Sequence, residues 1–177
     1  MKRTIFALLV VALAIAPLSA QIRLDAGITI PRGAGLVSSG STDLAELGEV
    51  LSSWIIPLPE AGLYYQFKAG PVRLAVGARV FTFILVSVLW PNAIAEIDFG
   101  PVTLSGQVGG GWFGAFGVIP FTSGSGKVFF PELSVWYRFG ESFRAGIGAI
   151  GLVLPDITTD TIPFLWYLGA KWSFVFE

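Results

Sequence analysis

Hydrophobic residues alternate with small or charged residues most clearly at the end of the chain, over residues 164–176. Alternate positions there are apolar, and the positions between them include Gly169, Lys171 and Ser173. Successive side chains of a β-strand point to opposite faces. The pattern therefore predicts a strand with one continuous apolar face, formed by Phe164, Trp166, Leu168, Ala170, Trp172, Phe174 and Phe176.

The same period of two residues recurs along the rest of the chain and predicts seven further strands. They cover residues 21–30, 62–69, 72–80, 95–99, 102–109, 132–139 and 143–149. Gly70-Pro71 and Gly100-Pro101 are turn signals. Connections are expected to be tight after every second strand and longer elsewhere, at residues 31–61, 85–92, 112–128 and 154–163. This order predicts an all-β fold, an antiparallel up-and-down transmembrane β-barrel of about eight strands.

Eleven charged residues fall within the predicted strands, all on the face opposite the apolar one. The interior of an eight-stranded barrel is just wide enough for side chains to fill it. Buried charges must be paired, so we expect these residues to form a structural ion-pair cluster in the lumen. A conducting path through the same charges is the alternative. The residues are Arg23, Asp25, Lys68, Arg73, Arg79, Glu96, Asp98, Glu132, Arg138, Arg144 and Lys171.

The start of the chain has the pattern of a secretory signal peptide. Lys2 and Arg3 precede an apolar run over residues 5–16, Pro17 ends the run, and Ala20 offers a small residue for cleavage. An uncleaved anchor helix would need about 20 apolar residues, more than this run contains. We therefore expect a signal peptide at residues 1–20 and a single barrel domain at residues 21–177.

The composition favours a membrane-embedded chain. Hydrophobic residues make up 54% and charged residues 13% of the sequence, whereas a soluble domain has about 25% charged residues. A helical membrane protein fits poorly, because the longest uncharged run, which contains residues 102–126, is rich in glycine and alternates along its length near residue 102. The mildly acidic balance argues against nucleic acid as a partner.

The residue types restrict the possible chemistry. The chain has no histidine and no cysteine, so neither a Ser-His-Asp relay nor a thiolate or imidazole metal site can be built. Glu96 and Asp98 share a face and could form a catalytic carboxylate pair, but lumen carboxylates more commonly form ion pairs. We expect no enzymatic activity, no metal and no cofactor.

The first long connection carries the one predicted helix, at about residues 41–54. Leu44, Leu47 and Val50 recur there at helical spacing. Such an amphipathic helix could lie on the lipid interface, fold over the barrel mouth or pack on the barrel's own loops. The other outer loops are also predicted to be apolar, through Trp90, Trp112, Phe113, Phe116, Val118, Ile119 and Phe121.

Together, the signal peptide, the alternating strands, the order of short turns and long loops, and the terminal aromatic strand ending at Phe176 resemble the small outer-membrane β-barrels. This group includes the OmpA transmembrane domain, OmpX and the OmpW group, and the resemblance covers residues 21–177. It implies a place in the outer membrane of a diderm (Gram-negative-type) bacterium. It further implies that outer-membrane lipid and the barrel insertion machinery are partners, with Phe176 as the insertion signal.

Two functions follow as expectations. The first is a non-enzymatic barrel with a structural or surface-interaction role, whose apolar outer loops bind an unknown surface partner. The second, which the resemblance to the OmpW group implies, is a narrow passage or binding barrel for a small apolar ligand. A sealed lumen would favour the first, and a gap in the wall or mouth would favour the second.

Overall fold

The computed structural model describes residues 21–36, 56–83, 85–153 and 163–176. Each strand pairs antiparallel with the next along the chain, and the last strand pairs with the first, so the sheet closes into an eight-stranded barrel. The predicted fold class is confirmed in this respect. The strands are β1 (Gln21–Leu36), β2 (Leu58–Ala69), β3 (Val72–Phe83), β4 (Val86–Phe99), β5 (Val102–Gly117), β6 (Thr122–Arg138), β7 (Phe143–Gly151) and β8 (Pro163–Phe176).

The two faces of the barrel wall follow the predicted alternation. On β6, for example, Leu133 points outward with 61% of its surface exposed, while the neighbouring Ser134 points inward and is 2% exposed. The other strands have the predicted phase as well, so the outer surface is an apolar band and the inner surface carries the polar residues.

The barrel has two different ends. At one end, which we call the turn end, residues 70–71, 100–101 and 139–142 connect the strands. Gly70 and Gly100 have φ values of 61° and 62°, a left-handed conformation that glycine adopts without steric cost. Gln21 and Phe176 lie at the same end. The opposite end, the loop end, carries the remaining connections.

Two of the predicted long connections are wrong. Only residues 84–85 separate β3 from β4, and only residues 118–121 separate β5 from β6, so most of residues 85–92 and 112–128 are strand. These strand ends are apolar on both faces or rich in glycine, and alternation therefore does not reveal them. The strand register also shifts between Leu89 and Asn92 and between Gly110 and Trp112, which interrupts the two-residue period.

Proline explains one of these register shifts. Pro91 lies within β4, between Leu89 and Asn92. Proline has no backbone N–H to donate to a neighbouring strand, so it is tolerated at bulges and sheet edges. A similar shift lies between Pro31 and Gly33, where β1 pairs with β8. These irregularities accompany Pro31 and Pro91, whereas Pro59 and Pro131 pair without a shift of register.

The first connection is shorter than predicted, because β2 begins at Leu58. Glu60 is therefore a strand residue that faces the interior. The predicted helix at residues 41–54 and the signal peptide at residues 1–20 lie outside the described residues. Within the described part of the chain, no helix is long and apolar enough to cross a membrane.

We expect the outer face to tolerate charge according to its depth in a bilayer. Val76 points outward near the middle of the wall, and Phe99 ends β4 at the turn end. Val76→Arg should lower the free energy of unfolding by about 2–4 kcal/mol in lipid vesicles, whereas Phe99→Arg should cost about 0–1 kcal/mol, because the penalty falls toward the interface. Urea unfolding followed by tryptophan fluorescence measures both. Equal costs at the two positions would contradict the assigned apolar band.

Candidate functional site

The turn-end half of the interior is organised around Glu96, which is 0% exposed. Arg23 donates from Nη1 to Glu96 Oε2 at 2.8 Å and from Nη2 to Glu96 Oε1 at 2.9 Å. The same guanidinium donates from Nε and Nη2 to both carboxylate oxygens of Asp25, each at 2.8 Å. Arg23 therefore bridges two carboxylates with paired, charge-assisted hydrogen bonds, which are the strong kind.

Three further cations surround the same glutamate. Arg73 Nη2 lies 3.1 Å from Glu96 Oε2, and Arg144 Nη1 lies 3.3 Å from it. Lys171 Nζ lies 3.7 Å from Glu96 Oε1. Glu96 is thus the common partner of four basic side chains that come from four different strands. It holds opposite walls of the barrel together.

Arg73 and Lys171 each have a second partner. Arg73 also pairs with Asp98, which accepts a hydrogen bond from Thr103 Oγ1 at 2.6 Å. Lys171 Nζ lies 4.2 Å from the centre of the Trp136 ring, a cation–π contact. The charged network therefore continues into the packed aromatic part of the interior.

The loop-end half of the interior contains a second network, centred on Arg79. Its guanidinium pairs with Glu60 on one side and with Glu132 on the other. Glu132 also accepts hydrogen bonds from the Tyr167 hydroxyl and from Gln107 Nε2, the latter at 3.0 Å. Arg79 is therefore neutralised by two carboxylates, and Glu132 is also held by Tyr167 and Gln107.

Little space remains between the two networks. The cavity between them, lined by Asp25, Tyr64, Arg79 and Lys171 among others, has a volume of about 10 Å³, roughly enough for one water molecule. Closer to the loop end, Leu58, Phe81 and Trp90 form a buried apolar cluster. This cluster, the Arg79 network and the Glu96 network therefore follow one another along the barrel axis.

The predicted interior residues fall into several environments. Arg23, Asp25, Arg73, Glu96, Asp98, Arg138, Arg144 and Lys171 occupy the turn-end half, whereas Arg79 and Glu132 belong to the loop-end network. Lys68 is exposed at the turn end. Phe176 points outward beside β1, and its proposed part in insertion stays a prediction. Trp90, expected in an outer loop, lies inside the barrel.

Sequence reasoning missed Glu60, although a signal was present. Glu60, Gly62 and Tyr64 are at alternate positions, so extending the phase of β2 backward would have placed Glu60 on the inner face. Pro59 weakens the strand signal there, because proline is rare within sheets. Among the described residues, no group of three or more acidic side chains is positioned to hold a metal ion.

The closed barrel, the apolar outer band and the charged interior have the architecture of the small eight-stranded outer-membrane β-barrels. No family model matches the chain, and no curated protein matches it. Among solved structures, it is similar to the N-terminal β-barrel domain of Pseudomonas aeruginosa OprF, with 13% identity and a TM-score of 0.47 over 88% of this chain and 98% of that one.

Two further solved structures are similar. Neisserial surface protein A has 14% identity and a TM-score of 0.44, over 87% of this chain and 96% of that one. Ail, the attachment invasion locus protein of Yersinia pestis, has 14% identity and a TM-score of 0.41, over 89% of this chain and 100% of that one.

The Glu96 network leads to a prediction about stability. Glu96→Gln should lower the free energy of unfolding by about 3–5 kcal/mol, because it leaves buried cations without their shared counter-charge. Glu141→Gln, at an exposed position in the β6–β7 turn, removes the same charge and should change stability by less than about 0.5 kcal/mol. Urea unfolding in lipid vesicles compares the two. Equal effects would mean that the interior charges are hydrated rather than paired.

Proposed function

We propose that the protein is a non-enzymatic outer-membrane barrel that acts as a sealed scaffold and presents its loop end for structural or surface interactions. The observation that carries this proposal is the filled interior. Two ion-paired networks and an apolar cluster follow one another along the barrel axis, with a cavity of about 10 Å³ between the networks. A barrel packed in this way is suited to hold its shape rather than to conduct.

The outer surface supports a place in a bilayer. At the turn end, Tyr137, Phe139, Phe143 and Trp172 form a row of outward aromatic side chains whose neighbouring ring centres lie 4.9, 5.8 and 4.9 Å apart. Aromatic girdles of this kind mark the membrane interfaces of transmembrane barrels. Outer-membrane lipid and the barrel insertion machinery are the proposed partners, with Phe176 at the end of β8 as the recognition residue.

The loop end supports a surface role. The hairpin between β5 and β6 exposes 69% of Val118 and 64% of Phe121, and Leu85 is exposed beside it. The backbone N–H of Val118 donates to the carbonyl oxygen of Leu85 at 3.1 Å, so the tips of two hairpins form one apolar surface. Exposed apolar patches of this kind commonly serve as binding surfaces.

The interior chemistry supports a non-enzymatic protein. Glu96 and Asp98, the carboxylate pair that shares a face, are each hydrogen-bonded to arginine side chains. A general acid or base needs access to a substrate proton, and the oxygens of Glu96 are buried among their partners.

The alternative is a narrow passage or binding barrel for small apolar molecules. Its support is the apolar cluster of Leu58, Phe81 and Trp90 at the loop end, which Ile56, Val88 and Phe130 extend. An apolar opening of this kind would suit an apolar ligand. The ion-paired networks below it would, however, have to rearrange before any solute could cross.

Planar-bilayer recordings separate the two functions. A sealed lumen predicts no steady ohmic conductance from the wild-type protein. Glu132→Ala should then destabilise the barrel by about 3–5 kcal/mol, because Arg79 loses a buried partner, while Glu141→Ala at the exposed turn should have little effect. Steady anion-selective channels in the wild type, together with unchanged stability of Glu132→Ala, would favour the passage.

A further inference from the structure

The turn end of the barrel contains an open cavity that the sealed-scaffold function does not use. Its volume is about 550 Å³, and its polar lining includes Gln66, Lys68, Arg73 and Asp98. Small-molecule sites commonly have volumes of about 300–1,000 Å³. The cavity is large enough for a small solute, and the Glu96 network lies between it and the rest of the interior.

Charge is distributed unevenly along the barrel axis. Among the described inward-facing residues, the turn-end half has six basic side chains, Arg23, Lys68, Arg73, Arg138, Arg144 and Lys171. It has three carboxylates, Asp25, Glu96 and Asp98. The loop-end network has the opposite balance, with Arg79 between Glu60 and Glu132. The positive excess is therefore concentrated in the half that opens into the cavity.

Two cationic groups there, Lys68 and Arg144, have donor capacity beyond their ion pairs. Lys68 lines the cavity and is exposed. Arg73 also lines the cavity, but its guanidinium already donates hydrogen bonds to Glu96 and Asp98. Deeper in the same half, Arg144 Nε is buried and has no hydrogen-bond partner among the described residues. Buried donors without partners are rare in folded proteins, and this one lies in the half of the interior that has the positive excess.

We propose that the turn-end cavity binds a small anion that carries phosphate or carboxylate groups. Lysine and arginine side chains recognise such groups through charge-assisted hydrogen bonds. A concave site in which charge of one sign is in excess also concentrates counter-ions. The bound anion would neutralise the excess positive charge at this end. The proposal does not depend on the scaffold function, because it concerns only the cavity outside the sealed interior.

The test is calorimetric titration of the folded protein, in zwitterionic detergent at low ionic strength, with pyrophosphate and with citrate. We expect saturable binding of one anion per barrel, and an affinity that falls as sodium chloride is added. Lys68→Gln should weaken binding by about tenfold, equivalent to about 1.4 kcal/mol, and Lys68→Arg should restore it.

The matched control is Arg32→Gln. Arg32 lies near the loop-end terminus of β1, so the substitution removes the same charge far from the cavity and should leave the affinity within about twofold. Absence of saturable binding by the wild type would overturn the proposal. An equal loss in Lys68→Gln and Arg32→Gln would also overturn it, because it would indicate attraction by net charge alone.

The source of the anion is tested in nanodiscs. If anionic lipid reduces the affinity for citrate more in the wild type than in Lys68→Gln, the site takes lipid headgroups, because repulsion by the bilayer's surface potential affects both proteins equally. If the reduction is equal in the two proteins, the site takes a free solute. Either result supports an anion site, provided that Lys68→Gln weakens the binding of citrate in zwitterionic nanodiscs.

Discussion

Closing eight strands into a barrel places their inward side chains in an interior that is just wide enough to hold them. The charged residues placed there must neutralise one another, because an isolated buried charge is very costly. Glu96 shows how the chain meets this constraint, since it takes four cations from β1, β3, β7 and β8 as partners. Those contacts cross the lumen, so the same interactions that satisfy the charges also hold the walls at a fixed separation.

The outer surface follows from the same closure. A closed sheet has no free edge within the wall, so every strand can place its apolar side chains outward without exposing unpaired backbone groups. The two-residue period then gives each strand one apolar outward face and one face for the interior. Irregular features lie nearer the loop end, where Pro31 and Pro91 accompany shifts of register. The turn end is regular, with short glycine-containing connections at Gly70 and Gly100.

Alternation was sufficient to predict the number of strands, their phase and their inner and outer faces, because the period of a strand is a local property of the sequence. It failed where both faces are apolar, as around Phe83 and Trp112, and where a proline weakens the strand signal, as at Pro59 before Glu60. The charged residues of the interior could be named from the sequence, but not their pairs. Pairing depends on register between strands far apart in the chain, such as β1 and β4, whose Arg23 and Glu96 meet across the lumen. The unequal distribution of charge along the barrel axis could not be predicted from the sequence, because it also depends on that register.

The central claim is that pairing across the lumen, rather than hydration, satisfies the interior charges. A double-mutant cycle on Arg23 and Glu96 tests this most directly, with Arg23→Gln, Glu96→Gln and the double variant unfolded in urea from lipid vesicles. The account predicts a coupling free energy of about 1.5–3 kcal/mol, the upper part of the range for residues in direct contact. Additive effects of the two substitutions, within about 0.5 kcal/mol, would contradict it.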